Sequence, residues 1–285
     1  MVTLARKASQ PPNRPEQDRI AGLLCRSRVF GSLPPEHLSY LVHQSTLLSL
    51  AERERIFSQG DEGRTVMVTL EGYVKLSSST WAGREIVLEL AGPGSLFGEL
   101  SPLDGCCRAA DAHALTACRL LSIEARLFMR TIAPVPDAIL GLVELLSFRL
   151  RNITEQMADS LDLPGAQRLA KLLIKLARLH SHSIGDEVRI DLPLSQRELG
   201  AMTGLTRESI NKHLSGWRDE GLIRISDRCI TVLDRRGLER RVRDGTQEEQ
   251  AVRARGEQAS PELWTRASAT IDSSRRAAAI LERLP

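Results

Sequence analysis

The stretch from Leu194 to Ile223 constrains the fold of this chain most, because it predicts two short helices joined by a sharp turn. Ser195 and Glu198 have the spacing of a capping box, in which two residues satisfy each other's backbone N–H groups at a helix start. Gly204 allows the chain to turn where the first helix ends. Thr206 is a candidate N-cap for the second helix. Two helices joined in this way form a helix-turn-helix, a module that reads DNA in the major groove.

The outer face of the second helix carries side chains that can read bases. Ile210, Leu214 and Trp217 recur at four- and three-residue steps, which turns them inward. Four polar residues near the helix start then face outward: Arg207, Glu208, Asn211 and Lys212. Arg and Lys donate to guanine, Glu accepts from the cytosine amino group, and Asn pairs with adenine. Three residues at the two helix starts complete the predicted DNA contacts: Ser195, Gln196 and Thr206. The alternative is an ordinary helical hairpin with a solvated, charged face.

Two apolar segments after the second helix favour the DNA-binding interpretation. Gly221–Ile225 and Cys229–Leu233 are separated by the polar residues Ser226–Arg228, a pattern that predicts a β-hairpin. A helix-turn-helix followed by such a hairpin is a winged helix. Between Arg207 and Arg243, ten Lys or Arg residues against six Asp or Glu residues give a mildly basic surface, which suits phosphate contacts.

Length and composition indicate a globular chain of two ordinary domains. The 285 residues are 42% hydrophobic and 26% charged, and the net charge of +3 is too small to attract nucleic acid without local clustering. Five cysteines follow no zinc-binding spacing, so we expect reduced thiols, no metal and a cytoplasmic protein. We expect no membrane association, because no apolar run has the length of a membrane helix. No paired carboxylates or nucleophile triad indicate an enzyme.

The pattern along the chain divides it into five parts. Residues 1–19 are polar and proline-rich, which predicts a disordered lead. Residues 20–136 form the first domain: helical to Gln44, then short apolar runs cut by glycines, which predict a β-barrel or jelly roll. Residues 137–161 predict one long helix, 162–243 the DNA-binding domain, and 244–285 a flexible tail.

One loop of the first domain has the chemistry to hold a sugar phosphate. Gly98 permits close backbone approach, Glu99 can accept from a pair of hydroxyls, and Arg108 can fork onto a phosphate. The alternative for Glu99 and Arg108 is a surface ion pair.

From about Phe30 to Arg241 the chain resembles the CRP/FNR superfamily of bacterial transcription regulators. Five motifs occur in that family's order and spacing: Gly60–Gly63, Leu70–Gly72, Gly92–Gly94, Phe97–Leu100 and Arg108–Ala110. The resemblance implies an α+β fold with an N-terminal cyclic-nucleotide-binding β jelly roll, a long dimerisation helix and a C-terminal winged helix-turn-helix. It further implies that Gly98, Glu99 and Leu100 hold a ribose, and that Arg108 and Ala109 hold a cyclic phosphate.

This sequence departs from the family's effector site at two points. Ala109 replaces the usual Ser or Thr, and the lost hydrogen bond costs about 0.5–1.5 kcal/mol. In cyclic-AMP-binding members two adjacent hydroxyl residues of the long helix contact adenine. The corresponding residues are Ile153 and Thr154, of which one has a hydroxyl. Arg149, one turn earlier, could also reach the pocket.

The long helix carries an apolar stripe that predicts pairing with its twin. Its members alternate four- and three-residue steps: Ile139, Val143, Leu146, Leu150, Ile153 and Met157. Pairing along this stripe gives a parallel homodimer. The alternative is a helix that lies on its own domain.

The DNA-reading residues resemble the CRP branch of the family. Arg207, Glu208 and a basic residue at Lys212 imply half-sites of the type TGTGA in an inverted repeat. Lys212 occupies a position where this branch more often has arginine, and a lysine cannot make the bidentate contact of an arginine. The FNR branch needs several N-terminal cysteines, and only Cys25 is present in that region, so we expect no iron–sulfur cluster.

The sequence therefore predicts a homodimeric transcription regulator that binds double-stranded DNA, works with RNA polymerase, and responds to a small effector. The predicted effector is a cyclic nucleotide such as cAMP, and no other cofactor is expected. One alternative keeps the DNA function but is effector-independent or senses another ligand, such as cyclic di-GMP. Another is a cyclic-nucleotide-binding regulatory subunit of a protein assembly.

Overall fold

Two helices precede the first sheet. The computed structural model describes residues 12–184, 187–226 and 229–243. Helix α1 (Arg14–Leu24) begins after Asn13, whose side chain accepts from the backbone of Glu16 at 3.1 Å, and α2 (Pro35–His43) follows. The predicted disordered lead is therefore wrong for residues 14–19. The prolines suggested disorder there, but Pro15 lies in the first turn of α1. Backbone N–H groups in the first turn have no partner within the helix, so a proline, which lacks an N–H, loses no hydrogen bond there. Residues 1–11 and the predicted tail, 244–285, lie outside the described ranges.

Eight strands form two packed antiparallel sheets: β1 (Thr46–Leu50), β2 (Arg55–Phe57), β3 (Thr65–Glu71), β4 (Val74–Ser79), β5 (Glu85–Ala91), β6 (Leu96–Phe97), β7 (Asp111–Ala114) and β8 (Cys118–Glu124). One sheet has the order β1-β8-β3-β6 and the other β2-β7-β4-β5. Met67, Phe97 and Leu120 are buried between the sheets. The short helix α3 (Leu100–Asp104) connects β6 to the loop before β7. This loop contains the predicted phosphate-binding residues.

A long helix leads out of the first domain. After α4 (Ala125–Ile132), α5 (Pro136–Asp162) runs for 27 residues from a proline in its first turn. Its first half packs on the segment that follows α1, because Gly141 has no side chain. A Cβ at Gly141 would lie 2.3 Å from the carbonyl oxygen of Arg28. Its second half extends past the sheets and leaves large apolar side chains exposed.

The last part alternates helices with strands: α6 (Gly165–Leu179), β9 (Ser181–Ile184), β10 (Glu187–Ile190), α7 (Gln196–Thr203), α8 (Arg207–Asp219), β11 (Ile223–Ser226) and β12 (Cys229–Val232). A further helical stretch covers residues 235–243, at the end of the described range. The strands form one sheet in the order β11-β12-β10-β9. Its hairpin β11–β12 follows α8, as a winged helix requires. The predicted α+β fold, with N-terminal antiparallel sheets, a long helix and a C-terminal helix-turn-helix, is confirmed.

The two halves of the chain share one apolar core. Val87, Leu90 and Leu115 of the first domain belong to the same buried cluster as the inner faces of α6 and α8. At the edge of this contact Lys75 pairs with Glu85 at 2.7 Å. Burial alone would raise the pKa of the Glu85 carboxyl, but Lys75 lowers it below its ordinary value, with smaller contributions from Ser77 and from Arg197 of α7. The C-terminal half of the chain is therefore docked on strand β5.

Neither a membrane helix nor a metal cluster is found in the ranges described. No single helix there is long and apolar enough to cross a membrane, and α4 with α5 reaches that threshold only as a pair bent by 118°. No group of three or more His, Cys, Asp or Glu side chains there is placed to hold a metal ion.

Candidate effector cavity and nucleic-acid interface

A cavity of about 710 Å³ opens where the sheets, α5 and the C-terminal half meet. The β6–β7 region forms one wall, α5 forms the second, and α6 with Met202 of α7 forms the third. Seven of the eight predicted effector residues line it: Gly98, Glu99, Leu100, Arg108, Ala109, Arg149 and Ile153. Thr154 does not. Its side chain is exposed, and its hydroxyl donates to the carbonyl oxygen of Leu150 at 2.9 Å.

Arg108 is buried and largely held by the protein itself. Its Nη1 donates to the carbonyl oxygen of Gly98 at 2.6 Å, and its Nη2 donates to the carbonyl oxygen of Thr65 at 2.7 Å. The guanidinium also lies 4.2 Å from the ring centre of Phe57. Burial lowers the pKa of Arg108, and the Glu99 and Asp61 carboxylates oppose that shift. Gly98 is required here, because its φ is +74° and a Cβ would lie 2.6 Å from Arg108 Nη1.

Glu99 is paired with the long helix instead of with Arg108. Its side chain is 2% exposed, and its Oε1 accepts from Nη1 of Arg149 at 2.6 Å. The alternative of a surface ion pair between Glu99 and Arg108 is therefore wrong. Burial removes Glu99 from solvent, and Arg149 reaches it from α5.

Arg149 ties α5 to the sheets at the cavity wall. Its Nε lies 2.7 Å from Oε2 of Glu89, and its Nη2 donates to the carbonyl oxygen of Leu96 at 2.5 Å. Burial alone would lower the pKa of Arg149, but the carboxylates of Glu89 and Glu99 raise it above its ordinary value. The guanidinium is therefore a permanent cation between two acidic residues.

Two buried polar atoms at the predicted sugar-phosphate site lack a hydrogen bond to any described residue: Glu99 Oε2 and Arg108 Nε. The first is an acceptor and the second a donor. A buried group without a partner costs about 1–3 kcal/mol, so a molecule that satisfies both atoms would be bound favourably. A sugar hydroxyl beside an anionic oxygen supplies the two complementary groups. The residues present therefore fit a sugar phosphate.

Several cavity residues were not predicted from the sequence. Asn152 and Gln156 follow Arg149 by three and seven residues on α5, so helical spacing could have identified them. Tyr73, Lys175 and His180 line the cavity from other elements. The rings of Tyr73 and His180 meet edge to face with centres 5.4 Å apart. No local pattern places Tyr73 of the first domain against His180 at the end of α6, because they meet only through the docking of the two domains.

The predicted DNA-reading surface is preformed. The capping box at α7 is present: Ser195 N donates to Glu198 Oε2 at 2.6 Å, and Glu198 N donates to Ser195 Oγ at 3.2 Å. Thr206 caps α8 by accepting from Ser209 N at 3.2 Å. Gly204 is in the left-handed conformation between the two helices, with φ of +72°. Both helix starts are therefore fixed by the local hydrogen bonds that the sequence predicted.

The side chains predicted to read bases project from the start of α8. All four residues named for this role are exposed: Arg207, Glu208, Asn211 and Lys212. Ile210, Leu214 and Trp217 are buried on the opposite face. The side-chain amide of Gln196 donates to Asn211 Oδ1 at 3.0 Å, which links α7 to the reading face. The arrangement offers donors and acceptors in a row that can enter a major groove.

The exposed apolar stripe of α5 contains four of the six residues of the predicted seam. Val143, Leu150 and Met157 are exposed as predicted, with Leu150 and Met157 at 66% and 64%. Ile139 and Leu146 instead pack partly against the first domain. Two exposed residues extend the stripe at its ends: Leu140 and Leu161. Ile153 is exposed and also lines the cavity. Ile139 and Leu146 are withdrawn from the stripe because the first half of α5 must also cover its own domain.

Two family profiles match the two halves of the chain. Residues 47–134 match a cyclic nucleotide-binding domain, and residues 167–241 match a Crp-like helix-turn-helix domain. The first range contains the buried Glu99 and Arg108. The second contains α7, α8 and the wing.

Relatives align over most of the chain. It is 30% identical over 223 residues to the CRP-like cAMP-activated global transcriptional regulator of Mycobacterium tuberculosis, which covers 78% of this chain and 99% of that protein. It is 31% identical over 214 residues to the cyclic AMP receptor protein of Thermus thermophilus, covering 75% and 95%. A solved CRP-family transcriptional regulator, also from Thermus thermophilus, is 28% identical, with a TM-score of 0.58 and coverage of 68% and 96%.

The buried pair of Glu99 and Arg149 generates a prediction about stability. In a double-mutant cycle with Glu99→Gln and Arg149→Met, we expect a coupling free energy of about 1–3 kcal/mol, because each single change leaves a buried partner uncompensated. Denaturant unfolding followed by circular dichroism measures it.

The exposed pair Glu62 and Arg64 is the matched control. Its coupling, measured with Glu62→Gln and Arg64→Met, should stay below about 1 kcal/mol. Equal coupling in the two cycles would contradict a structural role for the buried pair.

Proposed function

Because the chain belongs to the CRP/FNR family of transcription regulators, we propose that it acts as a homodimer whose DNA binding is controlled by a nucleotide in the cavity. The family membership makes it a DNA-binding regulator with a cyclic nucleotide-binding domain. The observation that carries the rest is the pair of unsatisfied atoms, Glu99 Oε2 and Arg108 Nε, at the wall of a cavity that touches all three parts of the chain.

The effector site is supported by complementary chemistry. Glu99, with Gly98 and Leu100, would receive ribose hydroxyls, and Arg108 with Ala109 would receive the cyclic phosphate. A cyclic mononucleotide such as cyclic AMP has both groups. The Mycobacterium tuberculosis relative is described as cAMP-activated, which agrees with this choice. Ile153 lines the base side of the cavity, and Arg149 adds positive charge beside it.

The dimer is supported by the exposed stripe on α5. Val143, Leu150 and Met157 are exposed at seven-residue intervals, which is typical of a helix that pairs with a second copy. Thr154 lies on the outer side of α5, away from its own cavity. In a parallel dimer its hydroxyl would face the partner's side of the seam, where it could complete the second adenine contact.

Coupling between effector and DNA would run through α5 and α6. A ligand that bonds Oε2 of Glu99 shares this carboxylate with Arg149, which is held at Oε1 and links α5 to the sheets. A change in this link alters how two copies of α5 pair, and so the separation of the two reading helices. Successive major grooves lie about 34–36 Å apart. Coupling of about 1–3 kcal/mol between the two sites is typical of such regulators.

The proposed DNA site is an inverted repeat of TGTGA-like half-sites. Glu208 supports a base contact: a carboxylate facing a polyanion is unfavourable unless it accepts from a base such as cytosine. The exposed row on α8 also disfavours a purely protein-docking role for this domain. Regulation of transcription from such a site would involve RNA polymerase as a partner.

A second candidate keeps the DNA function without a cyclic mononucleotide. Glu99 already forms an ion pair within the protein, with Arg149. Ala109 also lacks the hydroxyl of the Ser or Thr that the family usually has at this position. These two features favour a regulator that is effector-independent or that takes a ligand other than cyclic AMP.

Substitutions in the cassette test the effector site. Calorimetric titration with cyclic AMP should show binding by the wild type, and Ala109→Ser should tighten it roughly 2- to 10-fold by restoring one hydrogen bond. Arg108→Gln should weaken it by more than roughly tenfold, because a charge-assisted contact is lost. A wild type that takes up no cyclic AMP, with no gain from Ala109→Ser, favours the second candidate.

Arg207 tests the DNA-reading face. Arg207→Ala should cost about 1–3 kcal/mol of specific binding to a TGTGA palindrome, measured by gel shift. Binding to a scrambled duplex should change little, because the lost contact reads a base. Arg64→Ala, an exposed arginine of the first domain, is the control and should leave both affinities unchanged. An unchanged preference for the palindrome in Arg207→Ala would argue against this role.

Leu150 tests the dimer. Leu150→Glu places a charge in the exposed stripe and should convert the dimer to a monomer in sedimentation equilibrium, with loss of palindrome binding. Tyr40→Glu changes a similarly exposed residue of α2 and should remain dimeric. The dimer proposal fails if the wild type sediments as a monomer or if the two variants have the same mass.

A further inference from the structure

The third wall of the cavity carries a lysine with no acidic partner. Lys171 and Lys175 are one turn apart on α6, and both meet α5. Lys171 Nζ contacts Glu155 Oε1 at 2.7 Å and Asp159 Oδ1 at 2.8 Å. Lys175 Nζ instead donates to the side-chain oxygen of Asn152 at 3.1 Å. A neutral amide therefore occupies the position where a carboxylate would neutralise this lysine.

Lys175 differs in this respect from Arg149, the other α-helical cation of the cavity. Arg149 lies between two carboxylates. The charge of Lys175 contributes to lowering the pKa of the Glu155 carboxyl. Glu155, however, forms its ion pair with Lys171. Within the described part of the chain, no carboxylate lies within ion-pair distance of Lys175 Nζ. An ammonium has three N–H donors, so two remain for a ligand or for water.

The surroundings of Lys175 strengthen its attraction for an anion. It lines the cavity between apolar residues of α5 and α6, including Ile153, Leu172 and Leu176. Charges attract more strongly where water is partly excluded. A lysine exposed to a cavity of this kind is a binding position for a ligand anion.

Arg108 and Lys175 lie on different walls. Arg108 belongs to the first domain, Lys175 belongs to α6 of the DNA-binding half, and Arg149 to Ile153 of α5 lie on the wall that connects them. The volume of about 710 Å³ is in the upper half of the range usual for ligand pockets, about 300–1,000 Å³. The cavity thus has room and charge for a ligand with two anionic ends.

We infer that the effector carries two separated anionic groups, as a cyclic dinucleotide does, one held at Arg108 and Ala109 and the other at Lys175. This inference rests on the proposed function only in that the cavity binds a nucleotide, and it replaces the ligand with one phosphate by a ligand with two. It adds that the DNA-binding half contacts the effector directly. A ligand with one phosphate would reach only the sheets and α5, so the second anion would link the ligand to α6.

The test compares a ligand with two phosphodiesters and a ligand with one. Full-length protein is titrated by calorimetry with cyclic di-GMP and with cyclic AMP. Lys175→Met should weaken cyclic di-GMP binding by roughly tenfold or more, because a charge-assisted contact is lost. Cyclic AMP binding should change by less than about twofold, because its one phosphate lies at Arg108. Lys175→Arg keeps the charge and should retain most of the affinity for cyclic di-GMP.

Two further variants separate the possible failures. Arg178→Gln removes an exposed cation of the same helix that does not line the cavity, and should leave both affinities unchanged. Arg108→Gln should weaken both ligands. If Lys175→Met weakens both ligands equally, or if the wild type binds cyclic AMP but not cyclic di-GMP, the two-anion inference is wrong and the nucleotide site remains. If Arg108→Gln affects neither ligand, the cassette is not the site and both proposals fail.

Discussion

The burial of Arg149 between Glu89 and Glu99 is the interaction on which the rest of the structure depends. A guanidinium removed from water is costly unless opposite charges and acceptors surround it, and here two carboxylates and a carbonyl oxygen do so. This contact holds the long helix against the sheets. Arg149 also binds Oε1 of Glu99, the carboxylate that we propose receives the hydroxyls of a ligand. The position of α5 and the binding of a ligand therefore depend on the same side chain.

The second constraint is the shared core of the two domains. Val87 and Leu90 of β5 are buried together with the inner faces of α6 and α8. The DNA-binding half is therefore packed against the first domain and is not joined to it by a linker alone. The cavity exists because this docking brings α6 over the open side of the sheets. A ligand in the cavity therefore touches the interface between domains, and any change in that interface reaches α8 through packed helices.

Local patterns predicted much of the molecule. Ser195, Gly204 and Thr206 define the helix-turn-helix through hydrogen bonds and a backbone conformation that involve only neighbouring residues. The same is true of Gly98, whose positive φ accompanies the close approach of Arg108. The prediction of the dimer stripe was less accurate, because helix α5 has to pack against its own domain as well as present an exposed apolar face. Ile139 and Leu146 fit a dimer stripe by spacing, but the first domain needs them as cover. Pro15 suggested disorder, although the cap at Asn13 makes it part of a helix.

The sequence by itself determined most of the elements, the capping residues, the exposed polar face of α8 and the loop that carries Glu99 and Arg108, because each depends on side chains close together in the chain. Only the tertiary structure decided which charges meet. Glu99 pairs with Arg149 from fifty residues away, and Lys175 meets Asn152 instead of an acidic residue. Such pairings depend on how α5 and α6 dock on the sheets. Docking depends on the whole core, and no short segment contains that information.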